Sequence, residues 1–290
     1  MSSLLVMGAT GLFGQAFMSE AERLGLRAVG AARRNAEIRI DLEDNGTIEK
    51  AISLTRPDIV INTAAMIDIR ECEKDPQRAR TINADAPGRI ARAAATHGAK
   101  TVQISTDHFY TGDVARPHRE DDPVVLLNEY ARTKLAGEQA VLACPGSLVV
   151  RTNILGFRGW GKPTFAEWSL STIIEDRPVT LFADSFVSAI DVRAGARAIL
   201  KLAETGAEGP INVGCREVYS KMDLIEGLAK KLGKKLTNAR SGSVQELEIR
   251  RGESLGLDVG LAEKLLGYDL PTLNGVLDAI VTEGRERHAI

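Results

Sequence analysis

Three glycines set close behind an apolar run constrain what the opening of this chain can become. Leu4-Leu5-Val6-Met7 ends at Gly8, and Gly8, Gly11 and Gly14 follow at the spacing G-x-x-G-x-x-G, with a helical pattern opening at Leu12. Apolar run, glycine turn and helix, in that order, predict a strand, a tight turn and a helix with uncapped N–H groups at its start. Glycines let a backbone approach a ligand closely, and a helix N-terminus favours negative charge. Together these features suit the pyrophosphate of a dinucleotide, with Gly8, Thr10, Gly11, Leu12, Phe13 and Gly14 as the candidate binding residues.

The pattern continues as alternating strands and helices. The first helix is expected from Leu12 to Leu24 and the second strand from Arg27 to Ala31. In NAD sites of this kind an acidic residue near the end of the second strand often holds the ribose hydroxyls. Here Arg33 and Arg34 stand there instead, and a guanidinium can pair with a 2′-phosphate. NADP(H) is therefore favoured, with NAD(H) the alternative; two merely solvated arginines are the plain reading. Ile38 to Ile40 is a short strand before Asp41-Leu42, where Asp41 either reaches the adenine end of a cofactor or opens a turn. A helix over Thr47–Leu54 is stopped by Pro57. The buried strand Asp58–Asn62 leads to Thr63-Ala64-Ala65, small residues on which a flat ligand can pack. A long alanine-rich helix is expected from Pro76 to His97, with Asn83 inside it, and a strand from Thr101 to Thr106. This alternation predicts an α/β, Rossmann-type, doubly wound parallel sheet covered on both faces.

A long polar loop follows Thr106, through Asp107, His108, Asp113, Pro117, His118, Asp121 and Pro123; such loops are often functional. The next helical stretch carries Tyr130 and Lys134, four apart and so on one face. An ammonium beside a phenol favours the phenolate, which makes the tyrosine a general acid or base near neutral pH. Thr106, or its neighbour Ser105, ends the preceding strand where it can hydrogen-bond a carbonyl. His108 is placed to line the same pocket, whereas His118 and His288 read as surface residues and His97 as a helix end.

Beyond residue 155 a smaller α/β substrate region is expected over 156–177 and 216–290, with 178–215 rejoining a dinucleotide-binding domain of 1–155. The Gly156–Lys162 loop, with Arg158 and Trp160, either meets a nucleotide's diphosphate and base or is a plain surface loop. Arg250 or Arg251 is a candidate for a substrate diphosphate, with solvated charge as the bland reading. Ser220 is expected to cap a helix presenting Leu224, Leu228 and Leu232, and Leu273–Val281 to form a final one.

Composition excludes several classes. With 290 residues, 44% hydrophobic and 26% charged, the chain fits a globular protein. A net charge of −2 with no basic run offers nothing to nucleic acid. No apolar stretch has membrane-spanning length, and no leader is visible before the first strand. The odd set Cys72, Cys144 and Cys215 argues for a reducing, cytoplasmic setting and against disulfides or a zinc site. No histidine and carboxylate set has metal-ligand spacing, so no metal is expected.

Gly8-x-x-Gly11-x-x-Gly14, Asn62-Thr63-Ala64-Ala65, Ser105-Thr106-Asp107 and Tyr130-x-x-x-Lys134, in this order, resemble an extended short-chain dehydrogenase/reductase. Ser105 to Gly112, Asn128 to Glu138, Arg151-Thr152, Pro163-Thr164-Phe165, Asp184 to Ile190 and Ile211 to Gly214 are similar to segments of the dTDP-4-dehydrorhamnose reductase family. The resemblance implies Thr106, Tyr130 and Lys134 as catalytic residues, and cofactor contacts from Ala64, Ala65, Asp41, Leu42, Tyr130 and Lys134. It also implies a nucleotide-linked keto sugar as substrate and a homodimer as the assembly to consider. Where the family pattern has a tyrosine, a Val-Asp pair, a tyrosine and a second aspartate, this chain has Met66, Ile69-Arg70, His108 and Thr111, and Thr164 replaces an asparagine. Those departures fall on the substrate side. Two rivals share the fold: a nucleotide-sugar epimerase or dehydratase with tightly held NAD, and a non-catalytic NADP-binding protein like the regulatory subunit of methionine adenosyltransferase.

Overall fold

The computed structural model describes residues 2–112 and 116–290, so Asp113 of the polar loop lies outside the described residues. The main sheet takes β1 (Ser3–Met7), β2 (Arg27–Ala32), β3 (Ile38–Arg39), β4 (Ile59–Asn62), β5 (Lys100–Ile104), β6 (Leu148–Thr152) and β7 (Gly209–Val213). Leu4 to Met7 are all buried, which leaves β1 no solvated face and requires cover on both sides. The seven strands lie in the order β7-β6-β5-β4-β1-β2-β3, and every described ladder from β3 across to β6 is parallel. The chain thus builds outward from β1 to β3, then returns to the other side of β1 to lay β4. This reversal puts a topological switch point between the carboxyl ends of β1 and β4, where doubly wound sheets bind ligands.

Helices α1 (Leu12–Arg23), α2 (Asn45–Thr55), α3 (Ile69–Lys74), α4 (Pro76–Arg80), α5 (Ala86–Thr96) and α6 (Glu129–Leu142) belong to this part of the chain. Asp44 caps α2 by accepting from the Gly46 N–H, and the helix ends on Arg56 in the left-handed region, just before Pro57. One helix was expected over Pro76–His97. It is interrupted by a π turn over Thr81–Asp85, closed by the Ala86 N–H donating to the Thr81 carbonyl. The physical reason is Pro87, whose ring would clash with the Asn83 carbonyl of a regular α-helix. The wide turn displaces that carbonyl and presses it on α6, where a Cβ at Gly137 would lie 2.1 Å from the Asn83 oxygen.

The chain divides into two compact units, 2–106 with 126–151 and 196–211, and 107–125 with 152–195 and 212–290. Several stretches expected with the first region, the loop after Thr106 and the strand Val179–Phe182 among them, are thereby grouped with the second. The loop after Thr106 joins it because His118 donates its backbone N–H to Gly256 and bridges to Leu257. The strand Val179–Phe182 joins it because it pairs in parallel with Ala239–Gly242. The second unit's core gathers Leu170 and Ile173 of α7 (Phe165–Ile174), Leu224 and Leu228 of α9 (Lys221–Lys231), and Val276 and Ile280 of α11 (Leu273–Glu286). Helices α8 (Val192–Glu204) and α10 (Gly260–Leu266) complete the described set. Ser220 caps α9 in a reciprocal box with Asp223. His118 is not a surface residue: it is 5% exposed, stacks on Tyr110 with ring centroids 4.4 Å apart, and its Nε2 lies 3.2 Å from the Ser254 hydroxyl. The apolar body of an imidazole suits a core once its ring nitrogens meet polar groups.

Candidate active site

The glycines of the first turn are required by space. Gly8 has φ +84°, and a Cβ there would lie 2.6 Å from the Thr63 hydroxyl and 2.9 Å from the Ala64 nitrogen. A Cβ on Gly14 would lie 2.1 Å from the Gly8 carbonyl oxygen, so the third glycine lets α1 lie on the turn. Thr63 donates to the Met7 carbonyl at 2.9 Å and so ties the end of β4 to the end of β1 at the switch point. Gly11 is the N-cap of α1 and supplies no side-chain cap, which leaves the N–H groups at the helix start to a ligand. The Phe13 ring is buried against Phe17, so Phe13 can offer a ligand only its backbone. A cradle that any Cβ would fill, facing an uncapped helix start, fits a dinucleotide pyrophosphate.

Around this cradle stand the other expected cofactor residues of the first unit. Arg33 and Arg34 follow β2 directly and are exposed. The Asp41 carboxylate accepts from the Glu43 N–H in a turn. The Leu42 side chain is in the core and its carbonyl accepts from Arg89. Ala64, Ala65 and Met66 run on from β4, with the Ala64 N–H held by Asn62 at 3.1 Å. Asn83 in the π turn accepts from the Met66 N–H at 2.8 Å, donates to the Met66 carbonyl at 2.9 Å and reaches Thr133 of α6 at 3.3 Å.

Thr106, Tyr130 and Lys134 also lie in this unit, all buried, at 3%, 8% and 4% exposure. Asn128 caps α6 by accepting from the Ala131 N–H, so the tyrosine stands in the helix's first turn. Lys134 Nζ donates to the Ile104 carbonyl at the end of β5 at 2.7 Å. Burial pulls its pKa down from 10.5 to about 8, against the opposing pull of Glu138. Beneath it runs a chain of buried amides: Asn62 donates to Gln103 at 2.8 Å, and Gln103 donates to the same Ile104 carbonyl at 2.8 Å. Sequence reasoning gave Gln103 no role, and it named Asn83, Glu138 and Arg151 only as members of their segments. The available signal was a polar residue inside an apolar strand, as in Thr101-Val102-Gln103-Ile104.

The second unit holds His108, Arg158, Trp160 and Arg250. Arg158 stacks on Trp160 at 4.7 Å and donates to the Trp160 carbonyl, while Glu167 accepts from the Arg158, Gly159 and Thr164 N–H groups, so the loop is braced on α7. Arg250 is exposed, whereas Arg251 is partly buried. His108 is held neutral, its pKa pushed down to about 3 by burial and by the charges of Lys221 and Arg251. The Lys221 ammonium is itself lowered by burial and by Arg251, while Asp107 opposes that shift. Two cations and a neutral imidazole thus share one partly buried group. Among the described residues no cluster of three or more His, Cys, Asp or Glu could hold a metal ion, and no helix is long and apolar enough to cross a membrane. The Cys72 thiol is buried and pushed up to about 11, the state of an unreactive core residue.

A parallel sheet with this switch point, a glycine cradle at its first strand and a Tyr-Lys pair on the helix after β5 define an NAD(P)-dependent oxidoreductase of the short-chain dehydrogenase/reductase type. The chain belongs to the RmlD substrate binding domain family, whose pattern matches residues 1–281. A probable low-salt glycan biosynthesis reductase of Haloferax volcanii is 28% identical over 287 residues, 95% of this chain and 96% of that one. The dTDP-4-dehydrorhamnose reductase of Mycobacterium tuberculosis is 34% identical over 213 residues, 72% of this chain and 68% of that one. The crystal structure of dTDP-4-dehydrorhamnose reductase from Bacillus anthracis in complex with NADP has the same fold, with a TM-score of 0.88 over 97% of this chain and 99% of that one at 23% identity.

Proposed function

We propose that this protein uses NADPH to reduce the ketone of a nucleotide-linked 4-keto-6-deoxy sugar. The observation that carries the reading is the placement of Thr106, Tyr130 and Lys134 together in the unit that holds the glycine cradle. The relatives named as dTDP-4-dehydrorhamnose reductases support the substrate class. Arg33 and Arg34, exposed directly after β2, support a 2′-phosphate and hence NADPH.

When bound, the cofactor supplies the hydride. The protein's own groups do the rest. The N–H groups at the start of α1 hold the pyrophosphate, and Ala64 and Ala65 offer a flat surface for the cofactor. Lys134, anchored on the Ile104 carbonyl, presents a charged ammonium to a ribose hydroxyl and to the Tyr130 phenol. Thr106 donates a hydrogen bond to the ketone oxygen, and Tyr130 delivers the proton to that oxygen as it gains charge. In the second unit, Lys221 and Arg251 are suited to an anionic substrate group such as a diphosphate, with His108 as a neutral neighbour. Arg250 is the exposed alternative for the same role.

The test follows NADPH absorbance with dTDP-4-dehydrorhamnose generated in situ, with NADH alongside. Enzyme-dependent oxidation that prefers NADPH is expected. Clear NADPH binding without oxidation would refute the substrate assignment, and a cofactor that co-purifies and is regenerated each cycle would move the chain to epimerase or dehydratase chemistry.

A further inference from the structure

Tyr130, Lys134 and Glu138 are spaced by four on α6 and share one face; all three are buried, Glu138 at 2% exposure. A buried ammonium needs compensation, and a carbonyl gives only partial charge. The Ile104 carbonyl already serves Gln103 as well as Lys134. At the end of β5, Lys134 therefore meets a neutral carbonyl that it shares with a neutral amide. Among the described residues packed on α6, the neutral Asn83 of the π turn reaches Thr133, Gly88 of α5 lies close to Ala140, and Glu73 of α3 accepts from the Glu129 N–H in the first turn. β6 brings Arg151, which is paired with Glu138, with Nε to Oε1 at 3.1 Å and Nη2 to Oε2 at 2.8 Å. A bidentate guanidinium fixes the carboxylate plane, so Glu138 cannot swing to solvent. An ion pair needs two members; here a second cation lies one helical turn away on the same buried face.

We propose that Glu138, gripped by Arg151, is a positioning residue for Lys134: it compensates the buried ammonium and keeps it charged beside Tyr130. The proposal rests on the reading of Tyr130 and Lys134 as the catalytic pair. It predicts a connected triad, Arg151 holding Glu138 and Glu138 holding the charge of Lys134, where a structural ion pair would end at Glu138.

The experiment reads the titration of the Lys134 side chain by carbon NMR of ε-labelled lysines, with the signal assigned by its loss in K134M. In E138Q the midpoint is expected to fall by about one pH unit or more, because the favourable charge is gone while burial remains. The alkaline limb of NADPH binding should move with it. E138Q leaves a buried guanidinium without its countercharge, so the double variant E138Q/R151M, which removes the pair whole, carries the test if the single variant does not fold. A structural pair predicts that the double variant regains both melting temperature and the wild-type midpoint. The positioning role predicts recovered stability with the midpoint still lowered. An unchanged midpoint in either variant overturns the proposal. So does a double variant that cannot fold, since the pair would then be needed for the fold itself. The titration requires no keto sugar: a midpoint that moves in a protein without reductase turnover would sink the substrate assignment and leave this inference standing.

Discussion

Replacing Lys134 with methionine should make the protein more stable while abolishing its turnover. Folding holds this ammonium at 4% exposure and lowers its pKa from 10.5 to about 8. At about 1.4 kcal/mol per pH unit, keeping it charged below pH 8 costs the folded state about 3 kcal/mol. The hydrogen bond to the Ile104 carbonyl returns about 1 kcal/mol of that, so K134M should gain about 2 kcal/mol at pH 7. The substitution leaves no orphan, because the Ile104 carbonyl keeps Gln103 as a donor and Glu138 keeps Arg151. The sign also fixes a pH dependence. Between pH 8 and pH 10.5 the unfolded chain binds the proton and the folded chain releases it, so wild-type stability rises with pH in that window relative to the variant. Urea unfolding of both proteins at pH 7 and pH 10, followed by circular dichroism, measures the difference. The variant's advantage should be about 2 kcal/mol at pH 7 and should shrink towards zero by pH 10. A variant that is less stable at pH 7, or a gap that does not change with pH, would refute the reasoning.

Tyr130→Phe should lower kcat by about 100-fold or more while NADPH binding, followed by fluorescence, stays near wild type. Gly14→Ala puts a methyl 2.1 Å from the Gly8 carbonyl oxygen, so the melting temperature should fall by the equivalent of about 1–3 kcal/mol and NADPH should bind more weakly, both seen in one thermal-shift titration. The pair Arg33→Ser and Arg34→Ser should reduce the preference for NADPH over NADH by about 10-fold or more in steady-state kinetics, with stability unchanged because both side chains are exposed. Arg251→Met should raise KM for the nucleotide sugar by about 10-fold at constant KM for NADPH, whereas Arg250→Met should change neither greatly.

Local chemistry made much of this protein legible before folding. Gly8, Gly11 and Gly14 constrain a backbone whatever lies around them, and the four-residue spacing of Tyr130 and Lys134 places both on one face of any helix. The alternation of apolar runs with helical periods dictated a doubly wound parallel sheet, and Ser220 and Pro57 marked helix ends, one through its side chain and the other through its missing N–H. The tertiary structure alone decided which polar groups meet across the sheet. Asn62 and Gln103 are 41 residues apart, and Asn83 and Thr133 are 50 apart; their pairing depends on strand order and on a π turn that Pro87 favours and Gly137 leaves room for. The burial of His118 is likewise invisible in a linear pattern, since a histidine reads as surface until its neighbours are known. The charge of Lys134 is the clearest case. Its place on the helix is written in the spacing, but its lowered pKa comes from its burial in the fold, and the compensation we assign it from a carboxylate held by an arginine of β6.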